Sequence, residues 1–473
     1  MKKVALSALA AAMISGVASA DALTLYSDPK TGQVFTTPGE GRVEMGDFIS
    51  AKDVDMQLRD QESKLSEYQD KQSKYVNVKS KAKSLEFSGT HYFGYTNARP
   101  DNVTGATATY PANSGGFELR RNYVQVKGYF NDKDYWRVTM DATKELASSP
   151  GGTTTDDLKT SQGGGYADVF VKYAYLYLDN VLPYTGVEFG IAHRPWIDYE
   201  EHNGWYYRSF NKVVLEEKGT PTEAGVDLVN SADLGVNFKT KTDMFSSEIG
   251  IFNGEGYHAD KGGANQENDE KLSVEWRLTG HLIGSGEKVG KQDRTKDTYA
   301  HISTYGLISK NHKDDSSTLD QTSTSTSDPL KVEYDRSFYG IHAVYNQPEF
   351  LIAAQYAIAK DDIQDPTKFT GAIKFTERNY DVWSVNAEFR PFQDWTVIGR
   401  YDDYKIEHES TNQPTYTAVE GNKIIAALAY KYNKNVSFIG SAKFIDEDRK
   451  TYTNAVTADE SKDVYMFTTE VKW

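Results

Sequence analysis

The chain contains no cysteine and only 13 prolines among its 473 residues. Without cysteine there are no disulfides and no thiolate metal ligands, although this absence by itself does not identify the cellular compartment. Beyond residue 20 the sequence also lacks any run of about 20 apolar residues, the length that a membrane-spanning helix needs. The sequence therefore excludes disulfide-stabilised folds and predicts no helical membrane span in the mature chain.

The chain has fewer basic than acidic residues: it contains 53 Lys and Arg and 68 Asp and Glu, which gives a formal net charge of −15. Proteins that bind nucleic acid neutralise its phosphates with Lys and Arg, so we expect no nucleic-acid partner. The chain has no P-loop, no Gly-x-Ser-x-Gly and no His-Glu-x-x-His. Glu200, Glu201 and His202 lie near Asp198 but have no second histidine at ligand spacing. We therefore predict no metal, no cofactor and no enzymatic activity.

Residues 1–20 have the pattern of a secretory signal peptide. Lys2 and Lys3 form a charged start, an apolar run follows, and Ala18-Ser19-Ala20 fits a signal-peptidase site. The apolar run is too short to span a membrane as a helix. We expect an exported mature chain.

Two segments precede the regularly alternating part of the sequence. Residues 21–48 contain turn signals but no clear period, and we interpret them as an extended N-terminal segment on the periplasmic side. Residues 49–83 are predicted to form a short coiled-coil helix and a lysine-rich linker. The heptad positions of this helix are Val54, Leu58, Gln61, Leu65, Tyr68, Gln72 and Tyr75. The helix either joins several chains or packs against the rest of its own chain.

Residues 84–473 alternate between apolar and polar side chains with a period of two, which is typical of β-strands. The sequence predicts sixteen strands: 84–96, 116–129, 135–147, 166–178, 186–195, 231–240, 243–253, 271–282, 298–309, 334–346, 350–360, 379–390, 395–407, 422–432, 435–446 and 463–473. Short connections alternate with long ones, except that 283–297 is long where a short turn is expected. An even number of strands joined in this way is typical of a transmembrane β-barrel.

The alternation assigns two faces to each strand. Trp136, Val138 and Met140 share one face, and Arg137 and Asp141 share the other. This suits a barrel with lipid outside and water inside, because a charge on the lipid face costs about 2–4 kcal/mol near the membrane midplane. A soluble β-sandwich or β-solenoid would alternate as well. Aromatic residues near strand ends favour the barrel as interface girdles: Tyr92, Tyr95, Trp136, Tyr173, Tyr175, Tyr177, Tyr401, Tyr404, Tyr430 and Tyr432.

A loop of roughly 35 residues lies between the strands predicted at 186–195 and 231–240, and loops of this length are usually functional. We predict that it folds into the lumen as a constriction loop. The residues predicted to line the constriction and pore are Asp198, Glu200, Glu201, Arg208, Lys212, Arg194, Arg121, Lys127, Arg137, Arg277 and Arg400. Trp205, Tyr206 and Tyr207 are interpreted as an anchor of the loop or a stacking platform for a sugar. The predicted fold class is an all-β transmembrane barrel of sixteen antiparallel strands with an inward constriction loop, preceded by a short N-terminal coiled-coil helix.

Several short pieces of sequence recur in an order and spacing that match a known family. They are Gly116-Phe117-Glu118-Leu119-Arg120-Arg121, Val126-Lys127-Gly128, Glu188-Phe189-Gly190, Ser231-Ala232-Asp233-Leu234-Gly235-Val236 and Gly250-Ile251-Phe252-Asn253-Gly254-Glu255-Gly256. With these pieces the chain resembles the phosphate-selective porin O and P family of outer-membrane channels, and its aromatic end at Trp473 agrees. The resemblance implies a homotrimeric sixteen-stranded barrel in the outer membrane of a Gram-negative bacterium, with phosphate preferred by some members.

The charge pattern departs from that family, whose lumen is lined by a ladder of arginines. Here the inward faces combine Arg137 and Arg400 with Asp141 and Asp402, and channel selectivity follows the charges at the narrowest point. We expect a porin for passive diffusion of small hydrophilic solutes or ions, including anions such as phosphate, with outer-membrane lipid around it. The alternative is a plugged surface barrel that tethers the outer membrane through the coiled-coil segment.

Overall fold

The structure is a computed structural model, and it describes residues 23–48, 58–64, 81–101, 114–143, 168–217, 224–254, 256, 272–315, 331–364, 375–411, 416–450, 457–459 and 461–473. The chain divides into two compact units, Met1–Lys79 and Ser80–Trp473. The predicted signal peptide lies outside the described residues. In the described part of the chain no helix has both the length and the apolar character to cross a membrane.

The first unit contains a small antiparallel sheet for which the sequence analysis assigned no strands. β1 (Leu23–Ser27) lies between β2 (Val34–Phe35) and β3 (Val43–Phe48). Its apolar positions are too few to establish a period, which explains why the pattern did not reveal it. A short helix, α1, covers residues 58–64, and all seven of its residues are exposed. The other predicted heptad positions lie outside the described residues, so the coiled coil stays a prediction.

The second unit is a closed antiparallel barrel. Its strands are β4 (Ser84–Asp101), β5 (Ser114–Tyr129), β6 (Tyr135–Thr143), β7 (Asp168–Leu182), β8 (Thr185–His193), β9 (Ala232–Lys241), β10 (Phe245–Phe252), β11 (Ser273–Ile283), β12 (Tyr299–Asp315), β13 (Lys331–Gln347), β14 (Phe350–Ile363), β15 (Phe375–Phe392), β16 (Trp395–Ser410), β17 (Tyr416–Lys431), β18 (Val436–Lys450), β19 (Thr457–Asp459) and β20 (Ser461–Lys472). β19 and β20 both pair with β18 and follow each other along it, so they count as one strand. The prediction of sixteen antiparallel strands is confirmed.

The alternation of side chains matches the two faces of the barrel wall. In β14, Leu351, Ala353 and Ala357 point inward and are buried, whereas Ile352 and Ile358 point outward and are nearly half exposed. The backbone of such a wall can tolerate lipid because closure leaves no unpaired strand edge. The faces predicted for β6 are also correct, because Asp141 is fully buried in the lumen and Met140 is exposed on the outside.

One part of the aromatic prediction is wrong. Tyr173, Tyr175 and Tyr177 in β7 lie on the inner face, together with Tyr92 and Tyr404, and so they cannot belong to a girdle at the lipid interface. Successive side chains of a strand point to opposite faces. Because Ala174 and Leu176 occupy outward positions, the three tyrosines that alternate with them point into the lumen.

The C-terminus closes the barrel. β20 pairs with β4, and the backbone N–H groups of Gly89 and Trp473 each donate to the other residue's carbonyl, at 3.0 and 3.1 Å. The Trp473 indole donates to Nε2 of His91 at 2.8 Å. A Cβ at Gly89 would lie 2.6 Å from the indole, so the glycine makes room for the terminal aromatic ring.

The short turns and both ends of the barrel sequence share one rim, which we call the short-turn end. The exception at 284–298 contains a 3₁₀ turn, Gly286–Lys288, whose Ser285 hydroxyl accepts a hydrogen bond from the Glu287 N–H at 3.3 Å. The segment folds inward, since Val289 is buried and Arg294 pairs with Glu388 of β15 at 2.8 Å. This unexpectedly long turn therefore covers part of the lumen.

Candidate functional site

The described residues of the connection from β8 to β9, 194–217 and 224–231, fold into the barrel lumen, as predicted. The connection begins with Pro195 and a short helix, α2 (Ile197–Asn203), which ends at Gly204. Trp205 and Phe210 are fully buried although they lie in a loop, which is possible because the barrel wall surrounds them. We call this segment the inner loop.

The inner loop packs against the half of the barrel formed by β12 to β18 and β20. Buried apolar side chains of the loop and of that wall form one continuous cluster, which we call the loop core. Its main members are Trp196, Ile197, Trp205, Phe210, Val213, Val214 and Leu215 from the loop and Leu307, Phe338, Ala357, Val382, Ile398, Ile425, Ile445 and Val464 from the wall. Apolar burial at about 25 cal/mol per Å² holds the loop on this side.

An aromatic stack fixes the start of the inner loop. The Trp196 and Tyr305 rings are nearly parallel at 9°, with centroids 3.6 Å apart. Tyr305 lies against the neighbouring strand at Gly340, where a Cβ would come within 2.1 Å of its ring. The glycine therefore allows the Tyr305 ring to lie flat against the barrel wall, and Trp196 stacks on the other face of that ring.

Hydrogen bonds join the loop backbone to the same wall. Asn386 donates to the Gly204 carbonyl and Arg400 donates to the Lys212 carbonyl, both at 2.8 Å. These wall side chains satisfy loop carbonyls that would otherwise be buried without partners, which stabilises the loop conformation. Arg400 also lies 4.6 Å from the centre of the Trp205 ring.

A buried charge cluster holds the loop at Glu217. Lys423 of β17 is in contact with Glu217 of the loop, donates to the Ala224 carbonyl at 2.8 Å and lies 3.0 Å from Asp402. Arg400 pairs with Asp402 at 2.7 Å. All four charged side chains are almost completely excluded from solvent, so each charge depends on its partners.

The opposite side of the inner loop faces the polar wall, which we define as the inner faces of β4 to β11. Asp198 lies 3.7 Å from Nε2 of His193, and the same ring nitrogen is 3.1 Å from Nη1 of Arg137. Lys239 lies 3.1 Å from Glu188 and 3.9 Å from Asp198. The helix α2 is thus connected to β6, β8 and β9 through a charged network.

The accessible charges mark where water enters the barrel. Side-chain exposure is 24% for Asp198, 22% for Lys127 and 14% for Glu201, but 1% for Arg400 and 0% for Lys423. Asp198, Glu201 and Lys127 lie on the side of the polar wall, where other charges such as Arg277 and Glu248 are buried at 1% and 4%. Arg294, which pairs with Glu388 of β15, is also 23% exposed. We call the space between the inner loop and the polar wall the lane.

The predicted site residues divide between these two environments. Arg194 is buried and pairs with Glu275, and Arg277 is buried and pairs with Glu248. Glu200 and Arg400 lie on the loop-core side, and Lys212 is half-buried there through its carbonyl contact. The predicted residues on the lane side are Asp198, Glu201, Arg208, Arg121, Lys127 and Arg137.

Most lane cations contact a carboxylate. Arg208 pairs with Glu201 and Glu216, Arg121 lies 3.8 Å from Asp141, and Lys127 lies 3.7 Å from Glu86. Arg137 differs, because its hydrogen bonds go to Thr139, Tyr175 and His193. Within the described residues no carboxylate lies within 4.0 Å of the Arg137 guanidinium.

Two loop carboxylates have opposite protonation preferences. Burial disfavours ionisation of Asp198, but the nearby His193, His202 and Lys239 outweigh burial and hold its pKa well below the usual range. Burial of Glu200, only partly offset by the guanidinium of Arg400, raises its pKa to about 8. Glu200 Oε1 accepts a hydrogen bond from Gln355 at 2.6 Å. Glu200 is therefore mostly neutral at pH 7, whereas Asp198 is ionised.

Sequence reasoning missed His193, Lys239, Glu217 and Lys423. Lys239 shares the inner face of β9 with Asn237, so strict alternation would have placed it in the lumen. For Glu217 and Lys423, which are separated by 206 positions, no sequence signal exists, because their pairing depends on where the folded loop places Glu217. The cluster of Trp205 and Tyr207 is buried, so it anchors the loop and is not an exposed stacking platform.

Solved structures of outer-membrane proteins share this fold at low sequence identity. Outer-membrane expressed OmpT of Vibrio cholerae is 14% identical, with a TM-score of 0.51 over 84% of this chain and 100% of that chain. In-vitro folded OmpT of Vibrio cholerae is 12% identical, with a TM-score of 0.51 over 84% and 99% of the two chains. An OmpT mutant lacking loop L8 is 12% identical, with a TM-score of 0.50 over 82% and 99%. These similarities establish the barrel fold alone.

The sequence comparisons return no match to any family model or to any curated protein. The resemblance to the phosphate-selective porin family therefore rests on the short pieces of sequence. Two of those pieces meet in space, since Asp233 Oδ2 accepts a hydrogen bond from the Gly254 N–H at 2.6 Å. This contact explains why the two pieces of sequence occur together without any role in binding phosphate.

Proposed function

We propose that this chain is an outer-membrane porin of a Gram-negative bacterium that lets small hydrophilic solutes and ions diffuse through the lane between the inner loop and the polar wall. The observation that carries this proposal is the distribution of accessible charge inside a closed barrel, because partly exposed charges require water. The exposed apolar outer face supports a lipid environment. The protein acts as a homotrimer, without enzymatic activity, and its N-terminal segment is periplasmic.

The lane has weak charge selectivity. A strong preference for phosphate would need cations that are free to bind it, whereas Arg121, Lys127 and Arg208 lie close to carboxylates. Paired charges present little net field to a passing ion. Arg137 has no carboxylate among its hydrogen-bond partners in the described residues, so it shifts the balance towards anions such as phosphate.

The absence of cysteine allows a direct test of the lane. Single substitutions Lys127→Cys and Lys239→Cys are made for residues of the lane, and Ile352→Cys serves as a control on the outer face. In planar bilayers, a charged thiol reagent should reduce the current of the first two variants and leave the third unchanged. Equal insensitivity of all three would contradict the position of the lane.

The zero-current potential under a KCl gradient tests the selectivity. We expect a value near zero with a small anion preference, which Arg137→Gln removes. A strong anion preference that survives Arg137→Gln would contradict this assignment and favour the phosphate-type channel.

A plugged structural barrel is the second candidate, and the loop core favours it. The inner loop packs like a protein interior against half of the wall, so it has the stability of a plug. Purified protein that inserts into bilayers but never conducts would establish this candidate over the porin. Deleting residues 49–83 should then detach the outer membrane from the structure to which it is tethered.

A further inference from the structure

Three tyrosines form a row at the short-turn end of the polar wall. Tyr135 of β6 lies in register with Tyr129 of β5 on one side and with Tyr177 of β7 on the other. The ring centroids are 5.4 and 5.1 Å apart, and the planes are tilted by 49° and 30°. All three rings are half-buried, so together they present a shallow, continuous aromatic surface inside the barrel mouth. We call this surface the tyrosine row.

Carboxylates hold the outer rings of the row in place. The hydroxyl of Tyr129 donates to Glu86 at 2.8 Å, and that of Tyr177 donates to Asp179 at 3.2 Å. Tyr175 supports the central ring from behind, with its centroid 6.2 Å from that of Tyr135. Rings that are already fixed lose little conformational entropy when a ligand stacks on them.

The charged groups around the row occur as pairs of opposite sign. Glu86 lies 3.7 Å from Lys127, and Asp179 lies 2.8 Å from Lys133. A pair of opposite charges gives no net attraction to an ion, but its atoms can still donate and accept hydrogen bonds at the edge of a stacked ligand. The row therefore combines an apolar platform with polar groups at its rim, the usual composition of a small-molecule site.

We propose that the tyrosine row is a binding site for neutral saccharides entering or leaving the lane. A pyranose ring has an apolar C–H face that fits an aromatic ring, and its hydroxyl groups suit the paired carboxylates and ammonium groups at the rim. The row spans two ring-to-ring steps, so it fits a short oligosaccharide better than a single sugar. This inference rests on the proposed porin function and names a solute class for it.

The test uses the protein in a planar bilayer with maltotriose as the probe. Increasing maltotriose should reversibly reduce the KCl current, and Tyr135→Ala should raise the half-blocking concentration about tenfold, which corresponds to about 1.4 kcal/mol. Tyr135→Phe should bind nearly as well as the unmodified chain, because it keeps the ring. Tyr432→Ala is the matched control, since Tyr432 is an exposed tyrosine whose ring lies at a tilt beside that of Phe438 outside the lumen.

The outcomes separate this inference from the proposed function. A conducting channel that maltotriose does not block would overturn the saccharide site and leave the porin intact, whereas a complete lack of conductance would overturn the porin. Block by benzoate without block by maltotriose would assign the row to aromatic solutes and overturn the saccharide assignment. Equal half-blocking concentrations for Tyr135→Ala and Tyr432→Ala would also overturn it.

Discussion

At the scale of single residues, the position of the inner loop depends on the space that one glycine leaves. Gly340 allows Tyr305 to lie flat against the wall, and Trp196 stacks on that ring. The strand pattern of β13 alone would accept any small residue at position 340. Its importance comes from a ring on the neighbouring strand and a second ring on the loop.

Gly340→Ala should displace Tyr305 and weaken the docking of the loop. We expect a loss of about 1–3 kcal/mol, the usual cost of overpacking, together with noisier or larger single-channel currents. Thermal unfolding in detergent and bilayer recordings would measure the two effects. Gly399→Ala is the control, because nothing lies within 4 Å of a Cβ at that position; equal effects of the two variants would contradict the stacking argument.

Glu200 predicts a pH dependence of stability. Its pKa of about 8 lies above the ordinary value of 4.5, so the folded protein binds more protons than the unfolded chain between these values. Stability from this group is complete below pH 4.5 and falls by up to about 1.4 kcal/mol per pH unit as the pH rises towards 8. Glu200→Gln, which resembles the neutral acid, should flatten the transition temperature between pH 5 and pH 9. An unchanged pH profile in this variant would exclude Glu200 as the source.

At the scale of elements, the inner loop is fixed to the barrel wall at two points. Its start is held by Trp196 against Tyr305, and a later point by Glu217 against Lys423. The middle is covered by the loop core, so the loop is an integral part of the lumen. Its position on the apolar side is what leaves the lane on the polar side.

A double-mutant cycle tests the contact between Glu217 of the inner loop and Lys423 of the wall. Lys423→Met removes the ammonium that contacts two buried carboxylates and should destabilise the protein by about 3–5 kcal/mol. Combining it with Glu217→Gln should recover much of this loss, because one of the buried charges is removed as well. Transition temperatures of the single and double variants give the coupling. Additive effects would show that the two side chains do not depend on each other.

The element scale also shows how far the sequence could predict the site. Alternation placed Arg137, Asp141 and Lys127 on the correct face of their strands, since side chains of a strand point alternately to its two sides. It could not distinguish Arg277, which is buried in an ion pair, from Arg137, which has no carboxylate within 4.0 Å in the described part of the chain. That difference depends on partners from other strands and on where the loop lies.

At the scale of the whole molecule, the barrel has a preceding segment whose helix α1 is fully exposed in its described residues. Leu58 is 53% exposed although it occupies a heptad position. Polar and apolar heptad positions can set the register and the number of chains in a coiled coil. The intermolecular interpretation of the heptads therefore stays a prediction for the proposed homotrimer.

If the heptads join the chains of the proposed homotrimer, deleting residues 49–83 should convert it to monomers without changing the conductance of each barrel. Light scattering in detergent gives the mass, and bilayer recordings give the conductance. Replacing Leu58 and Leu65 by Asp should have the same effect, whereas Arg59→Asp, outside the seam, should not. A trimer that survives the deletion would show that the barrel walls alone hold the copies together.

The sequence by itself determined the sixteen strands, the faces of their side chains and the inward loop, because a period of two and the spacing of turns are local properties of the chain. The tertiary structure alone decided which side of the lumen the loop covers, which charges stay accessible and which tyrosines meet in a row. Those features depend on contacts between residues such as Glu217 and Lys423, which are 206 positions apart. Local patterns carry no information about such distances, and only closure of the barrel brings the partners together.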